Sequence, residues 1–159
     1  MNSFDMITET VAVGSNKSSY DSFDLIINID YPNNGVKKDK VVYINEKGKG
    51  LINCGYSDFT YYSLEKEGWL LKSDLTQEKL DKLYYIISKY LENFKYKKIL
   101  FHCKAGISRS STVAIYYLSK LNHKTPKEIY DDMKTKRPCI NPNAHFRKIL
   151  GLDYTEPNI

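Results

Sequence analysis

The stretch from Lys98 to Leu121 leaves this chain few folds to choose from. An apolar run, Ile99-Leu100-Phe101, leads into a short loop with one glycine, Gly106. Apolar residues then recur at Val113, Ala114, Tyr117, Leu118 and Leu121. The run reads as a central strand buried on both faces. The later spacing predicts a helix over about 109–121. A strand that feeds a helix through a tight loop is the unit of parallel α/β sheets. Sites in such sheets form beyond the carboxyl ends of the strands. Here that position is also a helix N-terminus, where unpaired amides and the helix dipole favour an anion.

The rest of the chain fits the same class. Val11-Ala12-Val13-Gly14 and Asp24 to Ile29 read as short buried strands. Tyr31-Pro32-Asn33-Asn34-Gly35 is a turn cluster, and Val41 to Ile44 and Trp69-Leu70-Leu71 have strand character. Asn53 to Gly68 supports no single assignment, and Tyr61, Tyr62 and Leu64 fit a short helix. Leu80, Leu83, Ile87, Tyr90, Leu91 and Phe94 recur at helical spacing, which predicts an amphipathic helix over about 76–93. Thr125-Pro126-Lys127-Glu128 is a capping box that opens a third helix, stopped by Pro138. Asn141-Pro142-Asn143 opens a short fourth, with Phe146, Ile149 and Leu150 inward and Gly151 at its end. At 159 residues there is room for one well-buried domain and not for two ordinary ones. The expected fold is α/β, with residues 1–159 as one domain built on a mostly parallel central sheet of about five strands flanked by helices.

The loop itself, His102-Cys103-Lys104-Ala105-Gly106-Ile107-Ser108-Arg109-Ser110, carries the chemistry. Gly106 permits a tight curl that turns the loop amides inward as an anion nest. The field that favours an anion there also favours the thiolate of a cysteine at the loop's start, which makes Cys103 a nucleophile. Arg109 closes the loop, and its planar fork can bond two phosphate oxygens at once, as lysine cannot. Ser110 is placed to offer its hydroxyl to the sulfur. The competing reading is a buried cysteine after a core strand plus a surface arginine. A cysteine and an arginine at this spacing carry little weight alone. Their conjunction with the strand, the glycine and the helix carries much more.

Composition bounds the remaining possibilities. The net charge of +5 is almost wholly lysine, since arginine occurs only at Arg109, Arg137 and Arg147. It suits either a solvated lysine surface or attraction of polyanionic substrates. Cys54, Cys103 and Cys139 are odd in number and widely spaced, which argues against a disulfide framework and for a reducing compartment. Neither a CxxC pair nor ligand spacing around His123 and His145 suggests zinc, so no metal or cofactor is expected. Cys54 and Cys139 read as packing residues, with a redox partnership to Cys103 as the alternative. No apolar run approaches the ~20 residues of a membrane span, and Met1 to Thr10 lacks a leader pattern. The expected setting is intracellular, in cytoplasm or nucleus, or in host cytoplasm or virion if the chain is viral.

His102 to Ser110 matches the Cys-x5-Arg signature of the protein tyrosine phosphatase superfamily and resembles its small dual-specificity branch, cellular and viral. Leu70-Leu71-Lys72-Ser73-Asp74 resembles the strand by which that family delivers a general-acid aspartate. Arg137-Pro138-Cys139-Ile140-Asn141-Pro142-Asn143-Ala144-His145-Phe146 resembles the segment before its last helix. The likeness is strongest over about 69–150, while about 31–68 departs from the pattern and leaves specificity open. The resemblance implies a phosphate held by Lys104, Ala105, Gly106, Ile107, Ser108 and Arg109. It also implies attack by Cys103, proton donation by Asp74, help from Ser110 as the thiolate leaves, and loop support from His102. Asp74 is also readable as a helix-capping or surface aspartate, and Asp58 is a second candidate acid.

The resemblance implies a protein phosphatase acting on phosphotyrosine and on phosphoserine or phosphothreonine. Its expected partners are phosphorylated proteins, with no stable nucleic acid or membrane, as a monomer or weak homodimer. The alternatives are an RNA 5′-phosphatase or a phosphoinositide phosphatase with the same loop, and a phosphoprotein-binding pseudophosphatase.

Overall fold

A computed structural model describes residues 2–19, 23–28, 60–63, 76–91 and 98–152. Its strands are β1 (Phe4–Met6), β2 (Val11–Gly14), β3 (Leu25–Asn28), β4 (Thr60–Ser63) and β5 (Ile99–His102). Its helices are α1 (Gln77–Leu91), α2 (Arg109–Asn122), α3 (Pro126–Lys136) and α4 (Ala144–Leu150). The strands form one sheet in the order β1-β2-β5-β3-β4. All pairs are parallel except the β1–β2 edge. The expected α/β class is met, with a mostly parallel sheet among the described residues.

β5 lies at the centre, with Ile99 opposite Val11 on one side and Leu25 on the other. Its four residues are all buried, which explains a continuous apolar run instead of alternation. The strand period of two still sorts side chains between the faces. Val11, Val13, Leu25, Ile27, Ile99 and Phe101 join the helices in the main core. Ala12, Ile26 and Leu100 join Phe23 on the opposite face, where Phe4 packs edge-on to Phe23.

The helices follow their sequence signals closely. Thr125 Oγ1 accepts from the Glu128 N–H at the start of α3. Asn143 Oδ1 accepts from the Phe146 N–H at the start of α4 (3.0 Å). Gly151 ends α4 in the left-handed region, at φ 70°. Along α2, every residue from Ser110 to Leu118 is buried. Leu121 departs from the expected apolar face and is 45% exposed, because the last turn of α2 is uncovered from Lys120 onward.

Two further departures concern strands. β1 had no sequence signal, being a three-residue edge with a half-buried to exposed pattern. Tyr61 and Tyr62, readable as helical, lie in β4 beside β3. The physical reason is that β3 needs backbone partners on its outer edge, and a Thr-Tyr-Tyr run suits a strand. Leu64, the strands read at Val41 to Ile44 and Trp69 to Leu71, and Asp58, Asp74 and Cys54 lie outside the described residues.

α1 and α2 meet through Tyr84, Tyr116 and Tyr117. Burial, then a hydrogen bond to Asp81, pushes the Tyr116 phenol up to about 12. Burial, with Tyr84 nearby, does the same to Tyr117. A raised phenol pKa means that the folded state holds its proton more tightly than the unfolded chain. Stability is therefore intact below pH ~10 and falls as pH rises from there towards 12. Urea titrations between pH 9 and 12 should show this decline, and Tyr116→Phe should make it shallower. An unchanged slope would remove Tyr116 from the effect.

Candidate phosphate-binding site

The site begins where β5 ends. Gly14 and His102 are in register at the carboxyl ends of β2 and β5, so the loops that follow both strands emerge side by side. The Cys103 N–H donates to the Gly14 carbonyl (3.3 Å), which anchors the loop from Cys103 to Ser108 at its first residue. Cys103 is only 3% exposed, and its Sγ lies 3.3 Å from Ser110 Oγ. His102 is fully buried, with Nδ1 3.4 Å from the Cys103 carbonyl. Arg109 opens α2 and is half-buried.

The loop carbonyls explain its curl. The Lys104 carbonyl accepts from the Asn16 N–H (3.1 Å). Those of Ala105 and Gly106 accept from Arg137, through Nη2 (3.3 Å) and Nε (2.9 Å). That of Ile107 accepts from Ser111 Oγ (2.7 Å) and the Asn141 N–H (2.8 Å). The Ser108 carbonyl accepts from Ser111 Oγ, Thr112 Oγ1 and the Thr112 N–H. Every carbonyl from 104 to 108 is thus held by the surrounding protein. In a trans peptide the C=O and the next N–H point in opposite directions. The amides of Ala105 to Arg109 are thereby turned away from this ring of donors, as an anion nest requires.

Gly106 is required by this curl. Its φ is +70°, and a Cβ there would stand 2.5 Å from the Gly14 carbonyl carbon and 2.6 Å from Arg137 Nη2. Sequence reasoning found Gly106 but gave Arg137 no role. Arg137 is fully buried, and besides the loop its Nη1 bonds the Asn2 carbonyl (3.0 Å) and the Asp5 carboxylate (2.7 Å). The available signal was its rarity, as one of three arginines in a lysine-rich chain.

Of the other predicted residues, Lys104 is exposed, while Ala105, Ile107 and Ser108 are half-buried. Ser108 Oγ accepts from the Asn143 N–H (3.0 Å), tying the loop to the start of α4. Cys103 and Cys139 are both free thiols. His123 and His145 are exposed. No helix among the described residues is long and apolar enough to cross a membrane.

A family profile, "Dual specificity phosphatase, catalytic domain", matches residues 11–155, which contain the whole loop. The chain belongs to that family. Dual specificity protein phosphatase 16 of Homo sapiens is 50% identical over 56 residues, covering 35% of this chain and 8% of that protein. The tyrosine-protein phosphatase vhp-1 of Caenorhabditis elegans is 40% identical over 76 residues, covering 46% and 12%. A viral relative named for a tyrosine phosphatase, 123R of Invertebrate iridescent virus 6, is 41% identical over 72 residues, covering 45% and 49%. The matches thus span less than half of each relative's own length.

Solved structures share the family fold. Human DUSP28 superposes with a TM-score of 0.67 at 14% identity, over 95% of this chain and 92% of that one. PTPMT1, solved in complex with PI(5)P, also gives 0.67, at 17% identity over 94% and 92%.

Proposed function

We propose that this protein is a cysteine-dependent phosphatase that hydrolyses phosphotyrosine and phosphoserine or phosphothreonine in proteins. The observation that carries the proposal is the loop from Cys103 to Arg109, whose carbonyls are engaged from outside. The inward amides and the Arg109 guanidinium hold three phosphate oxygens, best when transition-state charge spreads over them.

In the first step the Cys103 thiolate attacks phosphorus in line, forming an S–P bond as the ester P–O bond breaks. Asp74, protonated, gives its proton to the leaving oxygen. In the second step water attacks the cysteinyl phosphate, and the Asp74 carboxylate takes the water's proton. The S–P bond breaks, inorganic phosphate leaves, and the Ser110 hydroxyl, 3.3 Å away, donates to the departing thiolate. His102, buried under the loop, orients Cys103 without touching substrate. The chemistry calls on no metal, since amides and Arg109 meet the phosphate charge.

Asp74→Ala should lower kcat on a phosphopeptide by ~10²–10⁴, the scale of a lost proton donor. It should also flatten the basic limb of the pH profile. Near-normal turnover would remove Asp74 from the mechanism and bring Asp58 forward.

A second reading is phosphoinositide hydrolysis, favoured by the fold shared with PTPMT1 in its PI(5)P complex and by lysine richness. Comparing kcat/KM on phosphopeptides, inositol lipids and 5′-triphosphate RNA decides between substrate classes. Strong preference for either non-protein substrate would overturn the protein-phosphatase reading.

A further inference from the structure

The β1–β2 turn and the end of α2 border a concavity of about 290 Å³, lined by Thr8, Glu9, Thr10, Leu118, Leu121 and Asn122. It lies at the opposite end of the sheet from the phosphate loop. The Thr10 carbonyl accepts from the Ile99 N–H (2.7 Å) at the start of β5, whereas Cys103 and Lys104 follow the far end of that strand. The volume falls just below the ~300–1,000 Å³ of pockets that take a whole ligand, so it suits one long side chain. Its outer wall is fixed before anything binds. Thr8 Oγ1 accepts from the Thr10 N–H (3.2 Å) and the Val11 N–H (3.0 Å). The Ile7 and Thr8 N–H groups both donate to the Val11 carbonyl. Glu9 is therefore carried at the tip of a closed turn, which lowers the ordering cost of binding.

Two features favour a cation there. Glu9 is exposed and forms no ion pair among the described residues, in a chain whose net charge is +5. The second feature is the end of α2. The His123 and Lys124 N–H groups both return to the Ser119 carbonyl, so the carbonyls of Leu121 and Asn122 receive no backbone amide among the described residues. Such terminal carbonyls carry the negative end of the helix dipole. The neighbouring lysines do not cancel this. Lys120 pairs with Asp81 (3.7 Å), and Lys136 bonds Asp132 (3.0 Å) and the Ile7 carbonyl (2.8 Å). His123 and Lys124 follow α2 but do not line the cavity. Leu118 and the exposed Leu121 supply an apolar wall. A long cationic side chain matches this combination, since its methylene stem packs on leucine while its head meets the carboxylate. Arginine matches it better than lysine, because its planar fork can bond both Glu9 oxygens and still donate to a carbonyl or a threonine hydroxyl.

We propose that this cavity docks an arginine side chain of a protein partner, with an apolar neighbour of that arginine covering Leu121. Glu9 supplies the charge and the two leucines supply the stem contact. The docking site and the phosphate loop lie at opposite ends of the sheet, so a partner held here leaves the loop open. The proposal stands apart from the phosphatase reading above.

A capped, otherwise neutral peptide with one Leu-Arg pair tests this against the same peptide carrying citrulline, which keeps the shape without the charge. In ¹⁵N–¹H NMR titrations the arginine peptide should shift the amides of residues 8–11 and 118–124 and leave those of 103–109 in place. It should bind about fivefold more tightly than the citrulline peptide, the scale of one exposed charge pair. Glu9→Gln should reduce that preference to within about twofold. Leu121→Asn should weaken both peptides together. Glu9 and Leu121 are exposed, so neither change threatens the fold. Both variants should keep kcat/KM on an aryl phosphate within about twofold, since a distant exposed charge is screened by salt. Equal binding of the arginine and citrulline peptides, a preference that survives Glu9→Gln, or shifts centred on 103–109 would each overturn the proposal. So would equally tight binding of the peptide with lysine in place of arginine, which would mark an unselective cation patch. Because binding is read directly, absent turnover bears on the phosphatase reading alone.

Discussion

Cys103→Ser should hydrolyse an aryl phosphate at least ~10⁴-fold more slowly than the wild-type chain, the scale set by removing a catalytic nucleophile. A serine hydroxyl at this position is far harder to ionise than a thiol, so the nucleophile is lost. The fold should survive, because the substitution is nearly isosteric in a buried site, and an unchanged melting temperature checks this. Rapid-quench experiments with a ³²P-labelled phosphopeptide supply the positive arm. Wild-type protein should show a burst and carry label on Cys103, and the variant should show neither. Residual turnover above a few per cent would place the nucleophile elsewhere. Tight binding of phosphopeptides by wild type with no burst would favour a pseudophosphatase.

Arg137→Ala is expected to be the most damaging change outside the loop. It orphans the carbonyls of Ala105, Gly106 and Asn2 and leaves the Asp5 carboxylate without its cation. Breaking a buried pair in this way costs about 3–5 kcal/mol. For a chain of this length that corresponds to a fall in Tm of roughly 10 °C. Activity should fall as well, by ~10²-fold, because the loop amides lose the support that aims them and small misplacements are costly. Arg137→Lys guards against simple unfolding. Its single ammonium cannot reproduce a fork that reaches both Gly106 and Asp5. It should therefore keep more stability than alanine and still raise KM for the aryl phosphate. If both variants matched wild type in Tm and kcat/KM, Arg137 would be irrelevant to the loop.

Much of the architecture was legible because its signals are local. The strand at Ile99–His102, the helix from Arg109 and the caps at Thr125 and Asn143 each follow from a few adjacent residues. β1 and β4 were not legible. Short strands of three or four residues take their conformation from the neighbour they pair with, Val11–Gly14 for one and Leu25–Asn28 for the other. Leu121 misled for the complementary reason. Periodicity assigns a face to a residue, but whether anything covers that face at the end of a helix depends on where the neighbouring elements stop.

The stretch from Lys98 to Leu121 behaves in two ways. Its cysteine, glycine and arginine could be singled out from sequence because the loop is built from consecutive residues, and their spacing alone puts them around one point. What turns that loop into a cradle is tertiary. Its carbonyls must be drawn outward by donors, and those come from Asn16, Arg137, Asn141 and the first turn of α2. Arg137 is 31 positions from Gly106 and 132 from Asp5, distances over which sequence spacing carries no contact information. Only packing reveals that this one arginine is fully buried behind the loop.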